Sequence, residues 1–148
     1  GDLDERDDRA AALREHHLAA IAEARARRAP GQALLAMGHL HVAGGEASAW
    51  SERRIAIGGL EAVGPGGFGD DVAYVALGHL HRAQKVGGEH VRYAGSPIPL
   101  AMVEADYPHQ VVVVDLAGDR VSELHNRVVL AQRHLERRRG ALRVLVRA

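Results

Sequence analysis

The tetrapeptide Gly-His-Leu-His occurs twice, as Gly38-His39-Leu40-His41 and Gly78-His79-Leu80-His81, each time after a short apolar run. Neutral imidazole is the commonest protein metal ligand, and histidine supplies it near neutral pH without a large pKa shift. Loops at the ends of strands in α/β proteins converge at the sheet edge, where ligands bind. A glycine ahead of the histidine permits a sharp turn that aims the ring into a cleft. In extended backbone, residues two apart point to one side. His79 and His81 are therefore expected to reach one metal cluster, with His39 completing it from a neighbouring strand. His41 is read as a supporting group, bracing a ligand or packing in its own loop. Ser96, between Gly95 and Pro97, is read as a turn residue whose hydroxyl could also meet a phosphate. His16 and His17 read as exposed, and His90, His109, His125 and His134 as isolated.

The donor type narrows the ion. The chain has no cysteine, which excludes disulfides, thiolate-held zinc, iron–sulfur clusters and a thiol nucleophile. Histidine nitrogen suits Zn²⁺, Mn²⁺ or Fe²⁺. Three histidines could hold one Zn²⁺, whereas a two-metal hydrolytic site also needs a carboxylate between the ions. The acids on hand are Glu46, Glu52, Glu61, Asp70, Asp71 and Glu104. Asp70-Asp71 reads better as a turn. No phosphate-binding Gly-x-x-x-x-Gly-Lys-[Ser/Thr] and no Gly-x-Ser-x-Gly nucleophile elbow is present.

These residues need elements to hold them. At 148 residues, the chain is sized for one domain. Hydrophobic residues at 47% and charged residues at 26% fit a globular protein. Nineteen basic and nineteen acidic side chains cancel, which leaves no global basic signal for nucleic acid or a membrane. No apolar run is long enough for a membrane span, and the acidic start Gly1–Glu5 is no signal peptide. Aromatic residues are only 3%, so the core falls to Val, Leu, Ile and Ala.

A helix is predicted from Asp7 or Asp8, as N-caps, to about Arg28, with Leu13, Leu18 and Ile21 on an apolar stripe. Residues 33–37 read as a short buried strand. Arg54–Ile57 reads as a strand between the loops 43–48 and 64–67. Val72–Leu77 is the clearest buried strand. Val86–Glu89 predicts a hairpin turn, and Pro97 and Pro99 stiffen the loop 95–99. Gln110–Leu116 is a strand turned at 117–119 into a partner at 121–124. Seven arginines from Arg127 to Arg147 make the end basic, either as a solvated helix end or as a contact for nucleic acid or an acidic partner. The plan is one α/β domain over 1–148: a helix over 1–30, a motif-bearing core over 31–116, and a hairpin with a basic tail over 117–148.

Residues 72–84, reading V-A-Y-V-A-L-G-H-L-H-R-A-Q, followed by H-V-R-Y-A-G-S-P-I-P-L at 90–100, resemble the bacterial SbcD family. These are nuclease subunits of SbcCD complexes, related to the Mre nucleases of double-strand-break repair. Met37–Leu40, Ile55–Ala62 and Tyr107–Gln110 extend the resemblance, which runs from about Ala33 to Leu116 and fades beyond Val121. It implies a calcineurin-like metallophosphoesterase: a β-sandwich flanked by helices, with two Mn²⁺ ions at the strand ends, Mg²⁺ or Zn²⁺ being alternatives. On that pattern His39 and His79 fall on ligands of the second metal and His81 on a ligand of the first.

The implied activity is two-metal hydrolysis of phosphodiesters in double-stranded DNA ends and hairpins, with an SbcC-type ATPase and within a homodimer, in the cytoplasm. The family's D-x-H, G-D and G-N-H-[DE] motifs would lie upstream of this chain, and with them its catalytic residues. The chain thus reads as the second half of such a nuclease domain, expected to be inactive alone and to expose sheet surface. Ala101–Glu104 stands where the family commonly has Ser-Phe. A non-catalytic assembly domain and a mononuclear three-histidine zinc protein are the other readings.

Overall fold

The computed structural model describes residues 2–48 and 64–130. The expected strand at Arg54–Ile57 and most of the basic tail lie outside the described residues. The described chain is mixed α/β, compatible with a fragment of a metallophosphoesterase-type fold: one α-helix, a four-stranded sheet and a two-stranded hairpin.

Helix α1 spans Asp2–Arg27, so Asp7 and Asp8 lie inside it rather than capping it. Acidic residue types at a helix start suit the positive end of its dipole. Its C-terminal part docks: Ile21 packs on the core, whereas Leu18, expected on the apolar stripe, is exposed. Arg25 fixes this end. It makes a two-pronged ion pair with Asp71, with Nε 2.9 Å from Oδ2 and Nη2 2.5 Å from Oδ1. The same Nη2 donates to the Phe68 carbonyl at 2.8 Å. Asp70 and Asp71 form the expected turn.

Strand β1 (Leu35–His39) lies parallel to β2 (Tyr74–Gly78), which lies parallel to β4 (Val91–Tyr93); β3 (Gln84–Lys85) closes the far edge antiparallel to β4. The central β2 is apolar on both faces and nearly fully buried, as interior parallel strands are. The edge strand β1 instead alternates: Leu35, Met37 and His39 share the exposed face. It is half-buried, not buried as expected, because an apolar run cannot reveal which of its faces is covered. The predicted 86–89 turn joins β3 to β4. Residues 65–68, overlapping the loop expected at 64–67, form a short 3₁₀ turn that buries Phe68.

The core gathers Leu40, Val42, Phe68, Val72, Val75 and Leu77 with Leu80, Val86, Val91 and Tyr93. The leucine of each Gly-His-Leu-His is in this core, so the motif anchors one side chain inside while its histidines stay near the surface. Tyr93 ties the first copy to β4: its hydroxyl donates to the Leu40 carbonyl at 2.7 Å and accepts from the Val42 amide at 2.8 Å. Beyond the sheet, β5 (Gln110–Ala117) and β6 (Arg120–Val128) form a long antiparallel hairpin with a bulge at Asp115/Leu116. It extends past the predicted 121–124.

Candidate metal centre

Parallel pairing places the two tetrapeptides side by side. His39 stands opposite Gly78 in the β1–β2 ladder. The His39 and His79 rings meet edge to face with centroids 5.4 Å apart, and the His41 ring lies 6.2 Å from that of His79. Both glycines make room rather than turns. A Cβ at Gly78 would lie 2.9 Å from His39 Nδ1, and one at Gly38 would lie 2.3 Å from Leu40 Cδ2. The sharp turn is made by His79 itself, at φ 107°. This conformation is costly for a residue with a Cβ, and such strain collects at functional sites.

His79 thus leaves extended backbone, and strand alternation does not govern the two rings that follow Gly78. His81 turns to Glu104: its Nδ1 lies 2.7 Å from Glu104 Oε1. Glu104 is fully buried and also accepts the Leu100 amide on Oε2 at 2.8 Å. Among the described residues, the group whose ligand atoms all lie within 4.8 Å of one another is Asp115, Glu123 and His125, not the three predicted histidines. The structure brings His39, His41 and His79 together and pairs His81 with the buried Glu104 carboxylate. His41 Nε2 donates to the Gly45 carbonyl at 3.1 Å, which holds its ring against its own loop.

Ser96 is buried, and its hydroxyl donates to the Ile98 carbonyl at 2.5 Å, within its own turn. Its amide donates to the His81 carbonyl at 2.9 Å. Gly95, at φ 85°, makes this approach feasible, because a Cβ there would sit 2.8 Å from both the Ala83 nitrogen and the His81 oxygen. His109 is not isolated. It is buried, and its ring nitrogens lie 2.9 and 3.1 Å from the Ser96 and Glu104 carbonyl oxygens. His125 is not isolated either, since its Nε2 lies 2.9 Å from Glu123 and 3.4 Å from Asp115 across the hairpin.

Glu104 is the residue that sequence reasoning passed over as one acid among six. Its one available signal was a glutamate in an otherwise apolar stretch, Ile98–Val103, just after a rigid Pro-x-Pro turn. Among the described residues, no buried side-chain nitrogen or oxygen lacks a hydrogen-bond partner, so the polar groups behind the histidines form a completed network rather than an accident of packing. The donor chemistry fits a divalent first-row ion: partly exposed imidazoles at a strand end, one of them braced from behind by a carboxylate.

The mixed α/β frame, with paired histidines at the ends of parallel strands, is compatible with a metallophosphoesterase-type fragment. In sequence the fragment is SbcD-like. It is 55% identical over 85 residues to the SbcD subunit of the SbcCD nuclease from Rhodobacter capsulatus, an alignment covering 57% of this chain and 21% of the relative. It is 42% identical over 94 residues to the SbcD of Escherichia coli K12 (63% and 23%) and 43% identical over 83 residues to that of Bacillus subtilis (55% and 21%). The chain thus spans about a fifth of the length of the curated relatives it matches. No family model matches it. Among the described residues, no helix is long and apolar enough to cross a membrane.

Proposed function

We propose that this chain is the strand-end portion of an SbcD-type DNA nuclease subunit, with His39 and His79 as ligands of one divalent ion and His81 as a ligand of a second. The observation that carries the reading is the edge-to-face pair of His39 and His79 at adjacent parallel strand ends, within a chain similar to subunits named as nucleases. Mn²⁺ is the ion proposed, from the resemblance to SbcD; Zn²⁺ also suits imidazole nitrogen, whereas Mg²⁺ favours oxygen ligands. When bound, such ions polarise phosphoryl oxygens and activate water for in-line hydrolysis. The chain's own part is to present neutral imidazoles from a rigid sheet, held by the Leu40 and Leu80 anchors and by Tyr93.

The substrate proposed is double-stranded DNA at ends and hairpins, and the partner is an SbcC-type ATPase in a cytoplasmic complex containing two copies of the nuclease. The histidines are uncharged ligands, so two ions held by them alone would repel without compensation. The 148-residue chain is therefore expected to bind Mn²⁺ weakly and not to cleave DNA by itself. The test is a calorimetric Mn²⁺ titration of the chain and of its His39→Ala, His79→Ala and His81→Ala variants, beside an assay on linear duplex. Binding that His39→Ala and His79→Ala each reduce at least tenfold supports the reading. Binding indifferent to all three substitutions overturns it.

A further inference from the structure

We infer that Glu104 is the positioning residue for His81: it fixes the Nδ1–H tautomer, so that Nε2 is the acceptor nitrogen of the ring. The ligand role of His81 rests on the proposed function above; the tautomer does not. As a carboxylate Glu104 accepts on both oxygens, the Leu100 amide on Oε2 and His81 Nδ1, 2.7 Å away, on Oε1, and an accepting Oε1 places the ring proton on Nδ1. In a neutral ring that leaves Nε2 as the acceptor, the atom a metal uses. Histidine ligands are ordinarily oriented in this way, by a carboxylate or carbonyl on the other ring nitrogen.

The carboxylate is itself fixed. Its second oxygen accepts the Leu100 amide at 2.8 Å. Its backbone is held in the 102–104 turn, with the Glu104 amide donating to Ala101 O at 3.0 Å and its carbonyl accepting Tyr107 N–H at 2.9 Å. The His109 ring spans from the Glu104 carbonyl to the Ser96 carbonyl, and the Ser96 amide holds the carbonyl of His81. His81 is thus gripped at both ends by one loop, the ring through Glu104 and the backbone through Ser96. A fully buried glutamate that served packing alone would be an expensive choice; placed on a histidine and an amide, both of its oxygens are used.

Glu104→Gln gives a sharp test, because an amide has one oxygen where the carboxylate has two. The Leu100 N–H cannot change its role, so the amide oxygen goes there and the NH₂ faces His81. Nδ1 must then accept, and the ring proton moves to Nε2, where it blocks ligation.

The measurement is the tautomer of His81 by long-range ¹H–¹⁵N NMR on the full, metal-free chain at a pH where the ring is neutral, with Mn²⁺ affinity measured alongside. The expected result is an Nδ1–H tautomer in the wild type, against the Nε2–H preference of free imidazole in water, and its reversal in Glu104→Gln. Mn²⁺ affinity should fall about 10–100-fold in that variant. An Nε2–H wild type overturns the inference, and that reading stands even if Glu104→Gln fails to fold. A folded Glu104→Gln with an unchanged tautomer also overturns it. If the tautomer reverses while His81→Ala leaves Mn²⁺ affinity untouched, Glu104 keeps its positioning role and the metal-ligand assignment of His81 falls.

Discussion

His39 and Gly78 face each other across the parallel β1–β2 ladder, and the space a side chain would take at 78 is filled by the His39 ring, 2.9 Å from the place of a Cβ. Gly78→Ala should therefore act on the histidine pair more than on the fold. The ring is exposed and can swing away, so the stability loss should be about 1 kcal/mol. The swing breaks the contact with His79, and Mn²⁺ affinity should fall by about tenfold or more. Urea denaturation and calorimetry on the same variant separate the two effects; a large stability loss with intact binding would contradict this account.

His79 reverses a common rule of substitution. At φ 107° a Cβ is unfavourable, so glycine should be tolerated better than alanine. His79→Gly is expected to be more stable than His79→Ala by about 1 kcal/mol, although both lose the imidazole. Paired thermal melts check the order. Alanine being the more stable would mean that the left-handed turn does not persist in solution.

Gly95→Ala meets backbone rather than a movable side chain, with two main-chain atoms at 2.8 Å and φ 85°. Strain and overpacking together should cost about 3 kcal/mol. Because the crowded atoms belong to Ala83 and His81, the amide of Ser96 should also lose its exchange protection, which hydrogen exchange can follow.

Tyr93→Phe leaves the buried Leu40 carbonyl and Val42 amide without their hydroxyl partner. The expected loss is about 2–3 kcal/mol. Burial also holds the Tyr93 phenol above its ordinary pKa, against a smaller opposing effect of the Val42 amide. The folded form keeps its proton where the unfolded phenol, with a pKa of about 10, begins to lose it. Stability is therefore intact below that pH and declines as pH rises beyond it. Tyr74, also raised chiefly by burial, acts in the same sense. The phenylalanine variant should show a shallower alkaline decline in urea midpoints.

The Asp71 carboxyl is held below the usual range, first by its hydrogen bonds from Arg25. Its contribution is present above the unfolded carboxylate pKa of about 4 and disappears as pH falls through the lowered folded value. Asp71→Asn should flatten the acid limb of stability against pH while changing little on the alkaline side. An unchanged acid limb would show that the pair does not hold α1 to the turn.

Strands were the legible part of this fold. Apolar runs bounded by glycine marked β1, β2 and β5, and the Gly87-Gly88 pair marked the turn between β3 and β4, because those signals are local. Side-chain direction at the site was not legible. Alternation along an extended chain assumes regular strand backbone, and the positive φ of His79, which no residue type there announces, departs from it. Glu104 was hidden for another reason: its partner is 23 residues away, and burial of an acid is decided by tertiary packing. The helix start was misplaced because Asp2, Asp4, Asp7 and Asp8 all suit a first turn, and local chemistry does not rank them.

The parallel ladder also sets an order of assembly. Leu35 pairs with Tyr74, so β1 joins β2 only after a chain loop of 39 positions (74 minus 35) has closed, at an entropic cost of about 3 kcal/mol. The grip on His81 needs only the stretch from 81 to 109, whose contacts are shorter in sequence. Loops of low separation close first. The loop term between the two is only about 0.5 kcal/mol in favour of the His81–Glu104 contact. His39, on the edge strand, is therefore expected to lose hydrogen-exchange protection before the buried Glu104 brace, which native-state exchange measures.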